Sequence, residues 1–203
     1  MDKDDLRVFL YVPNIIDYVR ISLLIVAYFT FTWPSVFLFF YTISCVLDFF
    51  DGYAARKLNQ ISAFGTWLDV AVDILGRSMV WCQTYQWGWL IVSVEWLAFV
   101  CFHTQGMGWK NVPEAPAIVK AVMRNGFKTI WGLFAIGSLD CLPVCMYIFS
   151  NGWLTAHGVP YFLQYFCIGV LSAGRALCMV CEVWVIWSHV LLLVRQTSKS
   201  PIE

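Results

Sequence analysis

The sequence predicts an all-α membrane protein, a single domain over residues 1–203 with six transmembrane helices and both termini cytosolic. Apolar residues make up 60% of the 203 positions and charged ones only 13%, with a mean hydropathy of +0.70. A soluble domain needs roughly 25% charged residues to cover its surface, so a lipid-exposed chain is indicated. The apolar residues also fall into runs of about the length of a bilayer span, separated by short breaks rich in Gly, Pro and polar residues. The basic residues that fall at breaks, finally, gather at alternate ones.

The first segment, 13–32, follows "MDKDDLRVFLYVPN", which lacks the basic start, apolar run and small-residue cleavage site of a signal peptide and is expected to be retained. It ends at "TWPS", and the second, 35–53, ends at "KLNQIS". The third, 63–86, closes at "YQWG", and the fourth, 88–106, runs into "GMGWKNVPEAP". The fifth, 127–149, stops at "SNGWLTAHGVP", and the sixth, 160–194, is long enough for a span and an extension. Lys3, Arg7 and Arg20 lie before or early in the first segment. Arg56 and Lys57 follow the second, Lys110, Lys120, Arg124 and Lys128 the fourth, and Arg195 and Lys199 the sixth. The connections after the first, third and fifth have none, as the positive-inside rule requires of an even number of spans with cytosolic ends.

Formal net charge is zero and no basic run occurs, which excludes a nucleic-acid footprint. Most of the eight cysteines lie inside apolar runs, including the C-x2-C of Cys178 and Cys181, and are read as small buried hydrophobes. Trp33, Trp87, Trp89 and Trp153 fall near segment ends, as an interfacial belt would place them. Gly169, Ala173 and Gly174 allow close helix packing, which a homodimer would exploit. Only Arg77 and Arg175 interrupt apolar sequence; each needs a partner acid or a polar cavity, and Arg77 lies one turn beyond Asp73.

The stretch "LDFFDGYAARKLNQISAFGTWLDVAVD", Leu47 to Asp73, places four aspartates beside lipid-like sequence. Asp48 and Asp51 sit near the end of the second segment, and Asp69 and Asp73, four apart, on one face of the third. If the two helices pack antiparallel through the short turn, all four carboxylates converge, and cations must bind among them to offset their repulsion. Hard oxygen ligands without His or Cys select Mg²⁺ or Mn²⁺. Gly52 and Gly65 allow close approach, and Arg56 offers a fork suited to phosphate. The residue types therefore describe a metal-assisted site for a phosphorylated substrate.

Written out, the pattern is D-x2-D-G-x2-A-R-x8-G-x3-D-x3-D, from Asp48 to Asp73. Eight fixed positions match by chance with a probability on the order of 10⁻¹⁰ per start. The pattern resembles that of the class I CDP-alcohol phosphatidyltransferases, six-span membrane enzymes that displace CMP from a CDP-linked donor with an acceptor hydroxyl. Within the family, "VPNIIDYVRI" (Val12 to Ile21) and "LNQ" (Leu58 to Gln60) are most similar to the eukaryotic phosphatidylinositol synthase branch. The resemblance implies a first divalent ion on Asp48, Asp51 and Asp69, a second on Asp69 and Asp73, and Asp73 as the general base. It implies contacts from Gly52, Arg56 and Ser62 to the CDP part of the donor, CDP-diacylglycerol. It further implies a small polyol acceptor, myo-inositol in first place, and a site facing the cytosol from the endoplasmic reticulum membrane.

On the acceptor side, the branch carries an Arg directly after the last aspartate, where this chain has Ile74. Arg77, Glu95, His103, Lys120 and Arg124 are the candidate acceptor contacts. The alternatives are the same chemistry with another alcohol, or a silent paralogue that binds lipid or nucleotide. Against the second stands the retention of four acids beside lipid, which has little physical reason without a bound cation.

Overall fold

The structure is a computed structural model that describes residues 3–105 and 115–199. Every regular element among them is helical: α1 (Lys3–Val8), α2 (Val12–Phe29), α3 (Pro34–Lys57), α4 (Ala63–Thr84), α5 (Gly88–Gln105), α6 (Ala117–Phe127), α7 (Ile130–Ser150), α8 (Trp153–Ala156) and α9 (Tyr161–Lys199). The six expected segments correspond to α2, α3, α4, α5, α7 and α9, with ends within a few residues. Among the described residues, four helices are long and apolar enough to cross a membrane: α2, α3, α7 and the Tyr161–Gln196 part of α9. The apolar stretch of α5 is shorter, Gly88–Thr104, and the 22 residues of α4 carry Asp69, Asp73 and Arg77. Most of the break from Gly106 to Pro116, with Lys110, lies outside the described residues.

The chain divides into two compact units, Met1–Met79 and Val80–Glu203. In the first, α2 and α3 pack along much of their length. Pro13 opens α2 in its first turn, where its missing N–H costs no hydrogen bond. The buried face of α2 runs Asn14, Asp17, Arg20, Leu24 and Ala27, a helical stripe that is polar at one end and apolar at the other. Phe37, Tyr41, Ser44 and Asp51 form the matching stripe of α3. The polar ends of both helices thus share one level.

The "KLNQIS" turn closes α3 as a Schellman motif. Leu58 N–H donates to Ala54 O at 2.9 Å, Gln60 N–H reaches back to Ala55 O at 3.0 Å, and Asn59 takes φ of 52°. Asn tolerates that left-handed conformation better than most residues. The Gln60 side chain then accepts from Val12 N–H at 2.9 Å, tying the turn to the start of α2. Ser62 caps α4, accepting from Gly65 N–H at 2.9 Å.

In the second unit α9 packs on α5, α6 and α7 around Val119, Val122, Ala135, Leu139, Cys178 and Cys181. All eight cysteines of the chain are free thiols. A Cβ on Gly174 would strike the Ser138 side chain, so this glycine serves the α7–α9 contact within one chain rather than a contact between copies. Arg175 is buried and paired, to Glu182 at 2.9 Å and to Glu95 at 3.2 Å. The short α6 was not expected; Val119 and Val122 are buried while Lys120 and Arg124 are exposed, so it is amphipathic and too polar and short to read as a span.

Candidate functional site

Asp48 and Asp51 come from the last turns of α3, and Asp69 and Asp73 from adjacent turns of α4. The Schellman turn reverses the chain between them, and all four sequence-predicted carboxylates meet in the first unit. Two further residues of α2 complete the cluster, Asp17 and Arg20. Sequence reasoning treated Arg20 only as a topological charge and passed over Asp17. The available signal was the spacing of Asn14, Asp17 and Arg20, polar residues at every third position of an apolar segment, on one helical face.

Arg20 is 2% exposed and touches every acid of the cluster. Its Nη1 lies 2.9 Å from Asp17 Oδ1, 2.9 Å from Asp51 Oδ2 and 3.0 Å from Asp69 Oδ1. Its Nη2 lies 2.8 Å from Asp48 Oδ1 and against Asp73 Oδ1. Nη1 carries two hydrogens, yet three carboxylate oxygens surround it, so the acceptors outnumber the donors. Five carboxylates against one guanidinium leave a formal charge of −4, which two divalent cations would balance.

The carboxylates form two groups, each compact enough to hold an ion: Asp17, Asp51 and Asp69, and Asp48, Asp69 and Asp73, with ligand atoms within 4.8 Å of one another. Asp69 belongs to both. The sequence reading also made Asp69 the shared residue but paired Asp48 with Asp51; the geometry sets Asp48 with Asp73 and brings Asp17 in. The donor set is all oxygen, which suits hard divalent cations. The residues therefore fit such ions by number, chemistry and charge.

Beside the acids lies a cavity of about 300 Å³ lined by residues that include Asn14, Gly52, Arg56, Ser62, Gly65 and Asp69. The three residues expected to meet the donor nucleotide, Gly52, Arg56 and Ser62, thus share one wall system with Asp51 and Asp69. Gly52 faces Arg56, where an added Cβ would make ordinary contact at 3.4 Å from Arg56 Nη1. Gly65 lets α2 approach α4, since a Cβ would sit 2.7 Å from Asn14 Oδ1. Asn14 is fully buried, its Nδ2 donates to Val8 O at 2.6 Å, and its Oδ1 has no partner.

The candidate acceptor residues divide. Arg77 is buried in the first unit, close enough to Asp73 to interact with its charge. The others belong to the second unit. Glu95 is engaged by Arg175, His103 is exposed with its ring 6.2 Å from that of Phe99, and Lys120 and Arg124 lie on the exposed face of α6.

Several helices long and apolar enough to cross a membrane, with carboxylates grouped beside a cavity of about 300 Å³, define the class: a multi-span membrane protein whose site suits a hard cation and a phosphorylated substrate. The sequence profile of the CDP-alcohol phosphatidyltransferase family matches residues 10–195, and the chain belongs to that family. A Candida albicans relative is 31% identical over 161 residues, covering 72% of this chain and 70% of its own length. A Schizosaccharomyces pombe relative is 37% identical over 82 residues, covering 40% and 35%, and a Homo sapiens relative 47% over 70 residues, covering 34% and 33%. All three bear the name CDP-diacylglycerol–inositol 3-phosphatidyltransferase. No solved structure matches.

Proposed function

We propose that this chain transfers the phosphatidyl group of CDP-diacylglycerol to a hydroxyl of myo-inositol and releases CMP, at the cytosolic face of the endoplasmic reticulum. The observation that carries the reading is the convergence of Asp48, Asp51, Asp69 and Asp73 beside the cavity that Gly52, Arg56 and Ser62 line. The names of the relatives supply inositol.

Two divalent ions, Mg²⁺ or Mn²⁺, fit the carboxylate groups, with Asp69 common to both; bound there, they would neutralise charge on the diphosphate and on the departing CMP. The chain's own residues do the rest. Arg56, exposed at the cavity and free of the Arg20 network, binds phosphate oxygens through its planar fork. Gly52 lines the same wall beside it. Ser62 is committed through its oxygen to Gly65 N–H, which leaves its hydroxyl hydrogen to donate to the donor nucleotide. Asp73 accepts the proton of the acceptor hydroxyl on a carboxylate oxygen. The alkoxide oxygen forms a bond to the phosphorus that carries diacylglycerol, the P–O bond of the diphosphate breaks, and CMP leaves with the electron pair.

A second reading, the same chemistry with a different alcohol, is favoured by Ile74, which is buried directly after Asp73 where the inositol-using branch has Arg. Purified protein in detergent, given CDP-diacylglycerol, Mn²⁺ or Mg²⁺ and a panel of alcohols, decides between them. CMP release dependent on inositol supports the first reading, release with another alcohol the second. No CMP release with any acceptor defeats both.

A further inference from the structure

We propose that Arg20 is a built-in counter-ion of the acidic site, which holds its two carboxylate groups together when divalent ions are absent and competes with those ions for the same oxygens. The inference rests on the reading of the site as one that binds divalent cations.

One guanidinium nitrogen serves each carboxylate group. Nη1 lies 2.9–3.0 Å from Asp17, Asp51 and Asp69, the members of one group, and Nη2 contacts Asp48 and Asp73 of the other. A small divalent ion takes carboxylate oxygens at roughly 2.0–2.2 Å. It cannot share the centre of a group with a nitrogen already seated there. Ion binding must therefore move the guanidinium or draw carboxylates away from it.

The surroundings allow that exchange. The backbone is held independently of the head group, since Ser44 Oγ donates to Arg20 O at 3.4 Å. Arg20 Nε has no hydrogen-bond partner, so nothing anchors the guanidinium from its stem side. Asp17, Asp51 and Asp69 also line the adjoining cavity, which offers room for a displaced head group. Without Arg20, five carboxylates would face one another with no guanidinium bridging the two groups, and the three helices would repel at this level. With Arg20 seated against these oxygens, a divalent ion works against a competitor for the same ligands.

The test is Mn²⁺ titration of the full chain in detergent without substrate, read by thermal unfolding, for wild type and Arg20→Gln. The expected result has two parts: in chelator the variant melts below wild type, and its half-saturating Mn²⁺ concentration falls at least tenfold. An unchanged or raised midpoint overturns the inference. A variant that folds only when Mn²⁺ is present supports it. Should Arg20→Gln be unfolded in both conditions, Arg20→Lys is read instead; one ammonium cannot serve both groups, so a lowered midpoint supports the inference and a wild-type midpoint overturns it. A wild type that binds Mn²⁺ and releases CMP beside a variant with an unchanged midpoint defeats this inference and leaves the proposed function standing. Competition relieved by Gln in a chain that releases no CMP does the reverse.

Discussion

Asp69 and Asp73 are separated by one turn of α4, yet their positions predict different phenotypes. Asp69 belongs to both carboxylate groups and Asp73 to one. Asp69→Asn is expected to weaken the Mn²⁺-induced rise in melting temperature more than Asp73→Asn does. Asp73→Asn, which removes the proposed proton acceptor, is expected to slow CMP release by about 10²–10⁴-fold. Equal metal shifts in the two variants, or a near-normal rate for Asp73→Asn, would contradict these roles. Gly65 is a residue of another kind, set by space. Asn14 is fully buried and tethered to Val8 O, so it cannot easily retreat from a new methyl group 2.7 Å from its oxygen. Gly65→Ala should cost about 1–3 kcal/mol in unfolding free energy and reduce donor binding at the cavity.

At the scale of elements, the turn between α3 and α4 determines whether the two pairs of aspartates meet. Its C-cap depends on Asn59 at φ of 52° and on the Gln60 N–H bond to Ala55 O. A β-branched residue in that conformation is strained by about 1–3 kcal/mol, so Asn59→Val should lower the melting temperature and CMP release together. Asn59→Gly should leave both near wild type, because glycine adopts the left-handed region without penalty. A neutral Asn59→Val would show that the turn does not set the register of the pairs. The sequence named this turn correctly as a break but not its hydrogen bonds. Its Asn-Gln pair is intelligible only once Gln60 is seen to accept from the first turn of α2.

For the whole molecule, the cations embedded in apolar sequence are the informative residues. Arg175 was expected to find a partner, and it finds two, Glu95 from α5 and Glu182 from its own helix. Leaving the buried Glu95 and the part-buried Glu182 without it is costly, so Arg175→Leu should destabilise the protein by about 3–5 kcal/mol in detergent unfolding. A triple variant that also carries Glu95→Gln and Glu182→Gln should recover much of the loss, because no charge is then stranded. Failure of the triple variant to improve on Arg175→Leu would show that packing, not charge, is at stake. Glu95, a candidate acceptor contact by sequence, is thereby accounted for within the second unit.

What the sequence determined by itself were the features written in local order: the apolar segments, their breaks, and a motif whose spacing carries its chemistry. Helical periodicity and residue type suffice for these, because each depends on neighbours a few positions apart. The pairing of Asp48 with Asp73, the entry of Asp17, and the seating of Arg20 among five carboxylates were decided only by tertiary structure. Arg20 and Asp73 are 53 positions apart. Which oxygen meets which nitrogen across that distance depends on how three helices are turned about their axes, and helix rotation is set by packing between stripes that no single segment contains.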